Sequence, residues 1–229
     1  MRYIDKSNRC LVFDDFVVAY RGRLRNDWEK FKKIKGGSAV RLALHQHLWL
    51  QQKGLCAYCE QEVPEKTTPE NDAKSHLEHI RPKARSEFKH LTFHFENIVI
   101  SCEGFDLTTV SEHKKEFCGH FKDNDFTKFD DMLFLNPTTI QDIETYFRYD
   151  SEGQIEPHPS RNEAEKKKAA YMIQVLGLNH TVLNDMRKVQ YDLWLEKQLD
   201  WTEEKLAEEL SEYQRLLPAF FSLLKQKIL

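Results

Sequence analysis

The chain lacks any run of 18 apolar residues, and its opening "MRYIDKSNRC" has no apolar core of the kind a secretory signal needs. Neither a membrane-spanning helix nor a membrane partner is expected, and the expected location is the cytoplasm. An excess of one charge is missing too. The 34 Lys and Arg stand against 37 Asp and Glu, a formal net charge of −3, which excludes a uniformly basic coat and leaves only local cationic patches for phosphate. No internal repeat and no low-complexity segment occurs. What is present, 229 residues with 40% hydrophobic and 12% aromatic side chains, suffices for a proper core. Cysteine is sparse. Five in a chain expected in a reducing compartment do not suggest a disulfide framework, and their spacing favours metal: Cys10 alone, Cys56 and Cys59 as C-x2-C, then Cys102 and Cys118.

Three stretches differ in texture. In residues 1–54, "FDDFVVAY" has no clean period and reads equally as strand or helix. "AVRLALHQHLWLQQKG" predicts a helix with Ala39, Leu42, Ala43, Leu48 and Leu50 near one side, Ser38 as candidate cap and Gly54 as its end. His45 and His47 cannot share a helix face and read as ordinary helix residues. Residues 55–130 hold four cysteines, most of the histidines and short apolar runs such as "NIVISC" that predict strands. In residues 131–229, "ETYFRYDSEGQIEP" predicts a hairpin, and the pattern then turns helical. Ala169, Met172, Ile173 and Leu176 stack on one predicted helix, and Leu183, Met186, Val189 and Leu193 on the next. "TEEKLAEELSEYQRLL" predicts another helix with a solvated acidic face, and "LLPAFFSLLKQKIL" reads either as core or as a docking face.

C-x2-C puts two thiolates on one tight turn, and a second pair closes a tetrahedral four-thiolate site. Cys56 and Cys59 supply the first half of a structural Zn2+ site, and Cys102 and Cys118 are candidates for the second. Those two stand 16 apart, so "EGFDLTTVSEHKKEF" must loop out between ligands; the plain alternative is a strand-end thiol and a half-buried one. Cys10 reads as a bystander.

"HLEHIRPKAR", residues 76–85, sets two histidines and a glutamate within four residues before Pro82 and three cations. Alone it also fits a polar strand edge. His76-Leu77-Glu78 matches the H-x-E of zinc nucleobase deaminases, but here C-x2-C lies upstream and follows Leu55, the wrong order for that chemistry. Taken together, C-x2-C, H-x-E-H-I-x-P, Asn97 in "ENIVISC" and "CGHFK" resemble the HNH (ββα-metal) nuclease family. More narrowly they resemble the PtuB-type HNH proteins encoded beside an ATPase in bacterial antiviral Septu and retron systems. The motifs cover about residues 55 to 125, and a weaker likeness extends to "MRYI", "LFLNP", "YFRYDSEGQI" and "VLGLN".

The resemblance implies roles. His79 matches the general base that takes a proton from the attacking water, a task suited to a group titrating near neutrality. Glu78 stands where the family has a carboxylate ligand of a catalytic Mg2+ or Mn2+ ion, and His120 where it has the helix-borne ligand. Asn97 matches the asparagine that holds the loop between the strands and aims the base. Gly119 separates Cys118 from His120 where the family often has none, so Asn124 is an alternative ligand. His76 is either an auxiliary ligand or a flanking residue. Strand neighbours point to opposite faces, so Glu78 and His79 serve one phosphate only if the strand ends or twists there, and Pro82 favours an ending. Arg81, Lys83, Arg85 and Lys89, with Lys114, Lys115 and Lys122 from the other side, are expected to form a cationic rim that grips backbone without reading sequence.

The expected fold is α+β: a zinc-stapled ββα-metal, treble-clef-like core at 55–130, between an N-terminal segment 1–54 and a hairpin and helical region 131–229. The implied activity is metal-dependent hydrolysis of DNA or RNA phosphodiesters, tRNA included, by a restrained effector of antiviral defence. The implied partners are the nucleic-acid substrate, a PtuA-like ATPase complex and, in retrons, the reverse transcriptase with its nucleic acid. The rival reading is a non-catalytic zinc module that binds nucleic acid or protein on the same scaffold. Glu78, His79, Asn97 and His120 together count against it, because a pure binder has no need of them.

Overall fold

The segment that gave no clean period forms helix α1 (Leu11–Leu24), and its exposure explains the missing pattern. Phe13, Phe16 and Leu24 are buried, while Leu11, Val12 and Val18 face solvent, so apolar residues lie all round the helix. The computed structural model describes residues 1–69, 74–104, 116–197 and 216–228. Helices α2 (Glu29–Lys33) and α3 (Gly37–Gln51) follow. Gly36 at φ 85° precedes α3, and Ser38 makes no capping bond. The buried face of α3 is Leu44, His45, Leu48 and Trp49, not Ala39 and Leu50, which are exposed. His45 sits on the inward face, where its Nε2 meets the Ser75 hydroxyl at 3.0 Å, so a polar side chain takes a place that hydropathy gives to an apolar one.

Strands β1 (Ser75–His79) and β2 (Ile98–Cys102) pair antiparallel, with His76 opposite Ser101 and Glu78 opposite Val99. β2 is buried throughout, and the Gln52 side chain at the end of α3 serves it as an extra rung. Its Oε1 accepts from the Ile100 N–H at 2.7 Å and its Nε2 donates to the Ile100 carbonyl at 2.9 Å. Helix α4 (Cys118–Asn124) packs on β2, so the central elements run strand, strand, helix. A second antiparallel pair, β3 (Phe147–Tyr149) and β4 (Ile155–Pro157), forms the hairpin expected around Ser-Glu-Gly.

Helix α5 (Glu163–Val175) starts with a reciprocal capping box between Asn162 and Glu165 and buries Ala169 and Met172. In helix α6 (Thr181–Lys197) the inward positions are Leu183, Arg187 and Trp194, whereas Val189 is 56% and Leu193 48% exposed. Ranking by hydropathy missed this face because Arg187 is buried with its guanidinium donating to the Gly153 carbonyl at 3.0 Å. Helix α7 (Phe221–Ile228) and the preceding Phe220 bury Phe220, Leu223 and Leu224, so the apolar tail is core rather than docking face. Most of the expected acidic helix at 202–217, and Lys114 and Lys115, lie outside the described residues. One hydrophobic cluster runs from Met1 and Ile4 through Phe31, Ile100 and Phe147 to Leu224, so all three sequence stretches share it. Among the described residues no helix is long and apolar enough to cross a membrane.

The face assignment of α6 has a direct check. Leu183→Ala is expected to lower unfolding free energy by about 2–5 kcal/mol, and Val189→Ala to change it by less than about 0.5 kcal/mol, in urea denaturation. Equal losses would mean that the helix is rotated from the phase described.

Candidate active site

Two clusters of candidate ligands gather around the strand, strand, helix unit. In the first, the Sγ atoms of Cys56, Cys59, Cys102 and Cys118 lie within 4.8 Å of one another and are buried. The Cys56–Cys118 and Cys59–Cys102 sulfur separations are 3.9 and 3.8 Å. A tetrahedral ion with metal–sulfur bonds of about 2.3 Å needs edges of about 3.8 Å, so the thiols fit a metal such as Zn2+. The turn is built for it: the Cys102 N–H donates to the Cys56 sulfur at 3.3 Å and the Gln61 N–H to the Cys59 sulfur at 3.4 Å. The Cys56–Cys59 turn is tied to β2 by the Ala57 N–H on the Ile100 carbonyl. Cys118 adopts φ 62°, and its N–H donates to the Leu176 carbonyl at 2.7 Å, which fixes the fourth thiol to the end of α5.

The second cluster contains a residue that motif reading missed. His76, His120 and Glu103 offer ligand atoms within 4.8 Å of one another. His120 Nε2 is 2.9 Å from one Glu103 oxygen, and His76 Nδ1 is 3.4 Å from the other. The two imidazole rings lie 3.8 Å apart between centroids. His76 Nε2 is 3.4 Å from Glu78, and neither of its ring nitrogens completes a hydrogen bond, which is the state of an orphaned buried donor set and fits a cation. Burial would lower the His76 pKa, but Glu103 and Glu78 overcome it and lift it to about 9. The signal for Glu103 was available: Val99 and Ser101 of β2 lie on the same sheet face as their partners Glu78 and His76, and Glu103, just past the strand end, continues that alternation. Asn124, one turn beyond His120, is exposed and lines a different cavity with Phe121, Tyr171 and Val175.

Glu78 is buried in an ion pair with Lys122, 2.9 Å away. Burial alone would raise its pKa, yet Lys122 and His76 hold the carboxyl well below the ordinary range. Lys122 was expected on the cationic rim. It is instead fully buried against Glu78, with Asp123 at 2.5 Å and the His79 carbonyl at 3.1 Å, because only those acceptors repay its desolvation. Gly119 also acquires a reason. A Cβ there would lie 2.6 Å from Glu78 Cδ and 2.8 Å from Oε2, so the residue separating Cys118 from His120 is where the Glu78 carboxylate passes.

β1 ends at His79, and Glu78 and His79 diverge: Glu78 meets α4, while His79 meets Thr92 and Trp28. His79 Nε2 donates to the Thr92 carbonyl at 2.9 Å, which leaves Nδ1 with the lone pair and without a hydrogen-bond partner. Burial, aided by Lys83, lowers its pKa to about 4, so the ring is neutral at pH 7. Asn97 pins the connection between the strands. Its Oδ1 accepts from the Arg81 N–H at 2.9 Å, and its Nδ2 donates to the Arg81 and Leu91 carbonyls at 3.2 and 3.3 Å. The structure thus gathers His76, Glu78, His120 and Glu103, and sets the His79 ring apart from them. Of the expected rim, Arg81 pairs with Asp131 at 2.6 Å and Arg85 with Glu87 at 2.5 Å, while the charge of Lys83 acts on His79 and Asp123.

No protein-family model matches the chain. It is similar to "Retron Vc95 putative HNH endonuclease" of Vibrio cholerae serotype O1 biovar El Tor, 29% identical over 83% of this chain and 76% of that one. It is also similar to "Retron Ec83 putative HNH endonuclease" of Escherichia coli, 26% identical over 76% of this chain and 74% of that one. The likeness therefore extends well beyond the motif segment.

Cation binding at the second cluster must expel the proton that His76 holds below about pH 9. Apparent Mn2+ affinity, followed by titration between pH 6.5 and 8.5, is expected to rise about tenfold per pH unit, with the slope lost in His76→Asn. A flat wild-type profile would mean that the proton is not there.

Proposed function

From this chain's kinship with the HNH endonucleases of retrons, we propose that it hydrolyses nucleic-acid phosphodiester bonds with a divalent ion, as the effector of a defence system. The observation that carries the reading is His79: a neutral imidazole at the end of β1, in a connection pinned by Asn97 and with its ring held by Thr92, whose Nδ1 is left without a partner.

In this mechanism Thr92 fixes the His79 tautomer, so Nδ1 is the atom that takes the proton of the attacking water. His76, Glu103 and His120 would hold the catalytic ion, with Glu78 released to it from Lys122. When bound, the ion supplies Lewis-acid stabilisation of charge on the phosphate and leaving oxygen. Two imidazoles beside a carboxylate suit Mn2+ better than Mg2+. Lys122 holds the His79 carbonyl and so keeps the end of β1 in place while Glu78 changes partner. Lys83, whose charge acts on His79, gives the approach its positive charge, while Arg81 and Arg85 are held by Asp131 and Glu87. The four thiols carry a structural Zn2+ that sets the positions of β2 and α4. The working partners are a neighbouring ATPase of the PtuA type and, in a retron, the reverse transcriptase with its nucleic acid; the setting is the cytoplasm.

One observation favours a second reading. His79 is only 1% exposed, so an active enzyme must uncover it, whereas a non-catalytic metal-bound module need not. Cleavage of supercoiled plasmid, single-stranded DNA and total tRNA with Mn2+ or Mg2+ separates the two. His79→Ala is expected to lose activity at least about 100-fold while keeping fold and zinc content. Absence of cleavage by wild type, alone and with the neighbouring ATPase, would leave the binding module as the better account.

A further inference from the structure

A cavity of about 310 Å³ opens beside the second cluster and shares His76 with it. Its charged lining is of one sign: Lys32, Arg41 and Lys66, and among the described residues no carboxylate lines it. Arg41 comes from α3 and lies over the Trp28 ring at 5.5 Å, and Trp28 in turn packs edge-on against His79 at 4.6 Å. The Lys66 backbone is tied to α3 by the Gln46 side chain, which donates to its carbonyl at 3.1 Å. His45 also lines the cavity. It is 98% buried by exposure of 2%, its Nε2 lies 3.0 Å from the Ser75 hydroxyl, and its Nδ1 has no partner. Nδ1 is therefore a buried polar atom of the lining with no partner among the described residues.

We propose that this cavity is a phosphate subsite: it takes a backbone phosphate of the nucleic-acid strand whose neighbouring phosphate lies at the His76, Glu103 and His120 cluster. The inference rests on the nuclease reading and adds to it a place for the strand beyond the reacting bond. Three cations beside a buried imidazole nitrogen left without a partner suit an anion with several acceptor oxygens. A nucleobase is disfavoured, since the apolar lining is Leu42, Leu77 and Pro69, and among the described residues no Phe, Tyr or Trp ring lines the cavity to stack on a base. His76 is the shared wall, so an occupant of the cavity and a phosphate at the metal cluster belong to one continuous strand. Arg41 touches Trp28 and Trp28 touches His79, which makes filling of the cavity sensible to the base.

The test measures binding rather than turnover, so that it stands apart from the cleavage assay. Fluorescent single-stranded 20-mers of DNA and RNA, with and without a 5′-phosphate, are titrated by anisotropy against the His79→Ala protein. Arg41→Gln with Lys66→Gln is expected to raise Kd about tenfold and to reduce the slope of log K against log salt by about 0.7, one phosphate contact's worth on a single strand. Lys32→Gln with Lys66→Gln, which leaves the helix packing of Arg41 untouched, is expected to act in the same direction. Lys167→Gln with Lys168→Gln on α5 removes the same charge elsewhere and is expected to change Kd less than twofold. Equal loss in that control pair, or a change below twofold in both cavity pairs, overturns the proposal. A loss confined to 5′-phosphorylated strands, or competition by millimolar inorganic phosphate alone, replaces the internal phosphate with a terminal one and overturns it as stated. Loss of binding in the cavity variants together with no cleavage by wild type would sink the nuclease reading and leave the subsite standing.

Discussion

The four-thiol cluster is the constraint on which the rest of the arrangement depends. Its ligands come from the turn after α3, the end of β2 and the start of α4, three places that a short two-stranded sheet and a seven-residue helix would not bring together unaided. A short helix in water is marginal, so α4 owes its position to Cys118 at one end and to the buried Lys122 on its inner side. The same residue carries the fixation outward: the Leu176 carbonyl accepts from the Cys118 N–H, so the end of α5 is set by the same centre. Glu60, just after the knuckle, extends the tie to the last helix, where the Ser222 N–H and hydroxyl donate to its buried carboxylate at 2.8 and 2.6 Å.

Against that frame the second cluster is an electrostatic compromise. Glu78 cannot remain buried as an anion without a counter-charge, and Lys122 supplies it at the expense of its own hydration. The charges of His76, Glu103 and Glu78 are balanced in the same way, by a proton retained on His76. A divalent ion bound there would meet a site already neutralised by a lysine and a proton, so its binding would be an exchange of cations rather than the filling of a negative hole. This separates the two candidate clusters in kind. The thiols have no internal cation to replace and answer to sulfur geometry, whereas the imidazole and carboxylate site answers to pH.

How much of this the sequence carried differs by element. The short central elements were legible because their residues are chemically unusual: C-x2-C, the strand-like "NIVISC" and the asparagine before it fall where the pairing of β1 with β2 needs them. The hairpin was legible from turn chemistry. The helix faces of α3 and α6 were misjudged for one reason in common. Each turns a polar side chain inward, His45 onto Ser75 and Arg187 onto Gly153, and hydropathy cannot foresee that a buried polar group will find its partner far along the chain. Lys122 was misplaced by the same rule, since its partner Glu78 is 44 positions away in the numbering of the chain. Glu103 was not legible from the motifs, because it stands just past the end of β2 and acquires its role only through His76 and His120, which the strand pairing and α4 bring to it.

Gly119 deserves to be read as an angle. Successive residues of an α-helix are turned by about 100°, so the identity of a residue decides which neighbour it faces as much as its distance along the chain does. The position after Cys118 faces Glu78, where only a hydrogen atom fits, and the next, about 100° further round, faces Glu103 with an imidazole. One extra residue thus sorts the two carboxylates between two bearings of a single helical turn, one kept for close passage and one for a ligand. A motif usually written as a spacing is, in this chain, a compass direction fixed by a missing side chain.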